Sequence, residues 1–511
     1  MTRHGAGSSP SGWTPGKVAA AAVSGVAIAA LVAAMSVTRP VPSAVDAADG
    51  ASSVSEQTVS QRLIETYCPA RMTLADDSQY GDSAFRASEG DIASASRYAA
   101  FGAVYASTIT TPDGETRGEL SDADPTDESA VRVLSGDANS GALLQTTQLL
   151  ASDDGNGVAS STASWASQGD LRGMAAVSCV GAAFSHSFLL PATQTGWTQR
   201  LVVANPSSKS TSVTVQVWGT SAAGRLRLAV SGTVAVASHG ESTVDLAAAA
   251  AGQDALYATV SSAETPVNAL VRVTSMNGLT PQGNDYVTDA AEASRTAVIP
   301  GVGGAAGVRV LLYGEQDGHA SISWIGANGV SSASEADLTA QRVAVVDLGA
   351  PPAGATGVRV DSDVDVRAAA LTSASGQGGQ SDFAVLSAVA PMTVSAAAIP
   401  DQTDGVLNAV NVTDSPVTVS VDAFDASGKA VGSRNLALGA QAGASVALGE
   451  FGAGAAVVRV RDAASAVSWN VSLHRAQLDA AQVAGLAAVT PGALTPLSAR
   501  VRAVARPGVI G

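Results

Sequence analysis

From Leu190 onward, apolar and polar positions alternate along the chain with a period of two, and the alternation recurs in register with a second signal. An aliphatic residue precedes proline at Leu190-Pro191, Ile299-Pro300 and Ile399-Pro400, and these prolines lie 109 and 100 residues apart. After each comes a short apolar run: Arg200 to Ala204, Val308 to Tyr313, Val406 to Val412. Then follow TSVTVQVWG ending at Gly219, HASISWIG ending at Gly326 and SPVTVSVDAF ending at Phe424. Alternating Val, Ile and Trp with Ser, Thr and Asp is what a strand with one buried face requires. Glycine turns close these strands at Gly224, Gly329 and Gly428. Each copy continues through Val244–Leu246, Val346–Leu348 or Val446–Leu448 to a strand–turn–strand unit: residues 255–273, 355–373 and 455–473.

Roughly six or seven strands per hundred residues is the pattern of a β-sandwich. The segment from Cys68 to Cys179 reads as a fourth, divergent copy. In it, 130–148 match the closing unit, while 113–127 and 153–161 read as loops. The expected fold is all-β: about four tandem Ig-like β-sandwich repeats after one N-terminal transmembrane helix. Propeller blades are the competing architecture, since they also repeat as strands with glycine turns.

The expected organisation is a cytoplasmic N-terminus (1–17), a transmembrane anchor (18–37), a flexible stalk (38–62) and a first divergent β domain (63–185). Sandwich repeats follow at 186–296, 297–391 and 392–490, and a basic tail at 491–511. Val18 to Val37 is an uncharged run of 20 residues, about 30 Å as a helix and so long enough to cross a bilayer. Arg3 and Lys17 precede it, and Arg39 and then Asp46 and Asp49 follow, and the positive excess on the short N-terminal side favours a cytoplasmic N-terminus with the bulk outside. A cleaved signal peptide is the rival reading. Either way the remainder is exported, and one span cannot form a transport path.

Charged residues are 14% and aromatics 4% of the 511 residues, with a net charge of −16. That balance repels nucleic acid, so nucleic acid is not an expected partner. The two cysteines, Cys68 and Cys179, are both on the exported side, where an isolated pair most simply forms one disulfide.

Candidate chemistry is sparse. His4, His186, His239, His319 and His474 have no metal-ligand spacing. The glycines at 301, 303 and 304 resemble a dinucleotide fingerprint but lead into a strand, so no helix N-terminus is there to hold a phosphate. Asp361, Asp363 and Asp365 could share one strand face and meet calcium, although a solvated turn is the default; Asp122, Asp124 and Asp127 are read the same way. Trp197, Trp218, Trp324 and Trp469 fit core packing better than a sugar-stacking row. No catalytic, cofactor or metal residues are expected.

Cys68-Pro69, Cys179 with F-L-L-P after it, and the stretch RLVVANP (Arg200 to Pro206) leading into SVTVQVWGTSAAG resemble domain-of-unknown-function family 5719, a group of actinobacterial membrane-anchored proteins. The likeness spans about residues 64–490. It implies an envelope protein and carries over no functional residues. The expected function is a non-enzymatic cell-envelope scaffold or accessory subunit in the cell membrane, with an envelope protein or wall polymer as partner. A binding module for wall glycan or an extracellular ligand is the alternative.

Overall fold

Strand formation follows the alternation closely where only one face is covered. In Thr211–Trp218 the residues 211, 213, 215 and 217 are buried, and the intervening ones are exposed or half-buried. Other strands are buried on both faces: all of Gly157–Ala166, and all but the first residue of Ala93–Phe101. Their sheets must therefore be covered twice.

The computed structural model describes residues 54–74, 87–120 and 123–504, and Val59–Ala499 form one compact unit. The class is all-β. In the first stretch the strands are, in order, Leu63–Cys68, Ala93–Phe101, Val104–Thr110, Thr116–Glu119, Val131–Gly136, Leu143–Leu149, Gly157–Ala166 and Gly173–Ser178. One antiparallel sheet takes the first, sixth, third and fourth strands side by side. The other takes the fifth, second, seventh and eighth. The same order recurs from Ser185–Leu190 to Thr280–Val287, and again from Val394–Ala398 to Ala487–Val489. It recurs also between Ser294–Pro300 and Ser381–Ser387, where the sixth and seventh strands are one continuous strand, Ala355–Ser375, feeding both sheets.

Within a stretch the two sheets face each other across a core, such as Cys68, Ile109 and Leu149 against Tyr98, Ala100 and Val158. The outer faces are covered as well. Tyr67 and Leu144 of the first stretch meet Val202, Ala204 and Leu270 of the second. Trp218 and Tyr257 of the second meet Tyr313 of the third, the two tyrosine rings 3.9 Å apart. Val298 and Ile325 of the third meet Val410 of the fourth. Ala396, Phe424 and Val457 of the fourth return to Ala99, Phe101 and Val131 of the first, with Phe101 edge-on to Phe424. The first-strand sheet of each stretch thus packs on the fifth-strand sheet of the next, and the last closes on the first. Sheets paired as in a sandwich are stacked in a closed circuit, as propeller blades are.

Several expectations are corrected. Residues 54–60 lie in the span read as a flexible stalk, yet Val54–Ser60 is a strand. It pairs with Ser498–Val504, which belongs to the span read as a basic tail; the two form a sheet of their own. Backbone pairing, which composition does not report, decides both. In the first stretch 130–148 hold the fifth and sixth strands, and the closing pair is the sixth and seventh; the strand Gly157–Ala166 takes up the second half of the loop expected at 153–161. Its run of Ser and Thr is polar by composition but internally bonded: Ser160 Oγ to Gln145 Oε1, Ser161 Oγ to the Ala398 carbonyl at 2.7 Å. The 113–127 loop contains the strand Thr116–Glu119. The turn expected at Asp361–Asp365 is uninterrupted strand. The 18–37 anchor, with residues 1–17 and 38–53, lies outside the described residues. Among those described, no helix is long and apolar enough to cross a membrane.

Candidate functional site

The eighth strand is the free edge of its sheet, and all four eighth strands meet at the centre of the circuit. An edge strand carries unpaired N–H groups, and burying them without acceptors is costly. For three of those N–H groups the chain supplies the acceptors from one side chain. Asp382, fully buried, takes the Met174 and Leu486 N–H groups on Oδ2, both at 2.9 Å, and the Asn284 N–H on Oδ1 at 3.1 Å. These donors come from the first, fourth and second stretches, while Asp382 belongs to the third. One carboxyl group therefore bonds every other stretch of the circuit.

Room for it is made by glycine. Gly173, Gly283 and Gly485 precede Met174, Asn284 and Leu486 as Asp382 precedes Phe383. A Cβ at Gly173 would stand 2.8 Å from the Asp382 carboxyl carbon, and one at Gly283 would stand 2.6 Å from Oδ1. Beside it, Gln380 accepts the Ala484 N–H at 2.8 Å and donates to the Arg172 and Ala484 carbonyls. Burial pushes the Asp382 carboxyl up to about 8, against the pull of its backbone N–H partners.

A second acid lies alongside. Asp285 is 3% exposed; its Oδ2 accepts the Val385 N–H at 2.8 Å and its Oδ1 has no hydrogen-bond partner. Burial raises its pKa well above the carboxylate range, and the nearby Asp382 adds to this. Neither acid is placed for proton transfer to a substrate. Asp382 is spent on backbone N–H groups, and the cavity that Asp285 lines is only about 20 Å³.

The residues singled out in the sequence are dispersed. Cys68 and Cys179 lie at disulfide distance, Cα to Cα 4.5 Å, joining the end of the first strand to the segment after the eighth. His186 is buried between Asp289 Oδ2 and the Val267 carbonyl, each at 2.6 Å. Burial opposes its charge, but these partners outweigh it and raise its pKa. With both ring nitrogens engaged, it is a poor general base. His319 sits at the surface between Asp337 and Glu335; His239 and His474 are exposed, and His4 lies outside the described residues.

Asp361 is held by Arg359, and Asp363 accepts the His319 N–H, while Asp365 lies 3.9 Å from Arg295. Asp124 and Asp127 cap the turns at Thr126 and Ser129, and Asp122 is not among the described residues. No group of three or more acidic, His or Cys side chains suited to a metal occurs among the described residues. Gly301 and Gly304 form a positive-φ turn between strands. Trp324 and Trp469 are buried; Trp197 and Trp218 are half-buried, Trp197 against Phe383 and Trp218 against Tyr257 and Tyr313.

Sequence reading missed the axial pair. A signal for it exists: GMAAVS (173–178), GNDYVT (283–288), DFAVLS (382–387) and GLAAVT (485–490) align without gaps.

Fold and centre together define an all-β protein of closed, stacked sheets bound at one axial carboxyl. The chain belongs to family 5719, a family of unknown function, whose model matches residues 133–449. No curated protein and no solved structure matches it.

Proposed function

We propose that the chain is a non-enzymatic protein of the cell envelope, held by residues 18–37 with its bulk outside the membrane. There it serves as a rigid scaffold or accessory subunit for a membrane or wall-synthesis complex. The observation that carries this reading is the axial carboxyl, which binds the other three stretches to its own through backbone N–H groups. Such a centre suits a platform that keeps peripheral edges and loops in fixed relation; it does not suit a moving catalytic cleft. The pairing of Cys68 with Cys179 supports an oxidising compartment. The recurring strand order supports four copies of one Ig-like sandwich unit.

The test is in-cell cross-linking of the tagged chain, followed by mass spectrometry of what it captures. A reproducible membrane or wall-synthesis protein, trapped through residues 63–490, is expected. Capture of wall polymer without any protein overturns the scaffold reading in favour of a glycan-binding module.

That second reading has one observation of its own. A pocket of about 230 Å³ in the first stretch is lined by Tyr98, Leu134, Arg117 and Asp137. Tyr98 is 1% exposed, and its hydroxyl has no hydrogen-bond partner. An apolar floor with a few convergent polar groups is the usual form of a small-ligand site.

A further inference from the structure

The centre of the circuit contains more oxygen than the hydrogen bonds use. Five residues beyond the shared Gly/Asp position, at the end of each innermost strand or one residue past it, stands a hydroxyl residue: Ser178, Thr288, Ser387 and Thr490. All four line one small cavity, together with Asp285 and Asn470. Its volume is about 20 Å³, enough for one water-sized occupant, which needs ~10–15 Å³. Asp285 Oδ1, buried and unpartnered, belongs to this lining.

We propose that this axial cavity binds one monovalent hard cation of sodium size, held by the free oxygen of Asp285 and the ring of hydroxyls contributed by the four stretches. The polar side chains of the lining are carboxylate, hydroxyl and amide, with no thiol or imidazole among them, so it suits a hard ion. One uncommitted carboxylate oxygen matches a single positive charge. A calcium ion would ask for about 6–8 oxygens and as a rule more than one carboxylate, and both Asp382 oxygens are already committed to N–H groups. Asn470 helps to fix the wall: its amide donates to the Pro300 carbonyl at 2.9 Å, and its oxygen accepts from Asn408 at 3.0 Å. Ser178 donates to the Thr490 carbonyl at 2.6 Å, which leaves its lone pairs free for an ion.

Burial favours the protonated form of Asp285, so the cation completes the closure of the circuit by taking that proton's place at Oδ1, the proton leaving to solvent; a lone water would not displace it.

The test uses the full chain. Its thermal unfolding midpoint is measured in sodium, potassium and choline chloride at equal ionic strength, and crystals grown in sodium chloride are examined on the axis for an occupant whose oxygen contacts are shorter than the ~2.7–2.8 Å of a water's hydrogen bonds. The midpoint is expected to rise saturably with sodium over choline, with such an occupant beside Asp285. Asp285→Asn, and separately Thr288→Val, should weaken the sodium Kd by about tenfold or more. Coincident sodium and choline curves, or an axial occupant at water distances only, would overturn the proposal. So would a folded Thr288→Val chain with undiminished sodium dependence, which keeps the test decisive if Asp285→Asn fails to fold.

Discussion

Replacing Asp382 separates its acceptor role from its charge. Asp382→Ala strands the N–H groups of Met174, Asn284 and Leu486 at the buried centre. Asp382→Asn keeps one acceptor oxygen, which can face Met174 and Leu486 and leaves the new amide against the Asn284 N–H. Both variants remove the buried carboxyl, so the cost of burying that charge drops out of the comparison between them. The alanine variant then orphans two more N–H groups than the asparagine variant, at ~1–3 kcal/mol each. The unpaired amide of the asparagine variant subtracts roughly one such group, so alanine should be the less stable by about 2 kcal/mol. Urea unfolding of the full chain, followed by tryptophan fluorescence at pH 9, measures the difference; at that pH the wild-type group, at about 8, is ionised. If the two variants agree within ~0.5 kcal/mol, the size of an ordinary surface change, the bonds drawn at the axis do not hold the circuit together.

The same group predicts a pH trend. Its folded pKa, about 8, lies above the ordinary value of 3.8, so the native state binds the proton more tightly and stability should fall as pH rises through that window. Asp382→Asn should flatten the slope in a urea series from pH 4 to 9, and an unchanged slope would assign the trend elsewhere. His186 adds a loss as pH rises through its raised pKa, which His186→Asn should remove from the same series. Gly283→Ala puts a Cβ 2.6 Å from Asp382 Oδ1 at a φ of +114° and should cost about 1–3 kcal/mol by urea titration. Gly278→Ala, with open space around its Cβ but a φ of +60°, should cost only the ~1–2 kcal/mol of a left-handed alanine. Reduction of the Cys68–Cys179 link, which closes a separation of 111 residues, should lower stability by about 4–5 kcal/mol on the chain-entropy account; a midpoint unmoved by reductant would show that the link contributes nothing.

Period-two alternation made the third strands legible, because Thr211–Trp218 has one face in the core and one nearer solvent. It failed where both faces are covered. Gly157–Ala166 reads as polar because its interior is built from Ser and Thr whose hydroxyls bond across the packing faces, to Gln145 and to the Ala398 carbonyl. The eighth strand of each stretch was hidden for another reason. It is short, and its identity rests on what the edge meets, which is a carboxyl located some hundred residues away in the sequence for two of the three donors. The axial site was legible only as three glycines and one aspartate at aligned positions, a difference between copies that chemical motifs do not encode.

The closed circuit also accounts for the composition. When each sheet is covered on both faces, the outward positions must be small or flat for neighbouring sheets to approach at ~10 Å, and Ala99, Ala159, Ala396 and Ala398 occupy such positions between the fourth and first stretches. Large aromatics are confined to a few contacts, such as Phe101 with Phe424 and Tyr257 with Tyr313. A thin Ala and Val core would be marginal for an isolated sandwich, since burial stabilises in proportion to the apolar area removed from water. Here no stretch is isolated, because each of its outer faces is another stretch's covering. Removing one stretch would uncover two such faces and, for the third, remove Asp382 as well. The unit of stability is therefore the whole circuit, and the axial carboxyl is where its four parts are made to depend on one another.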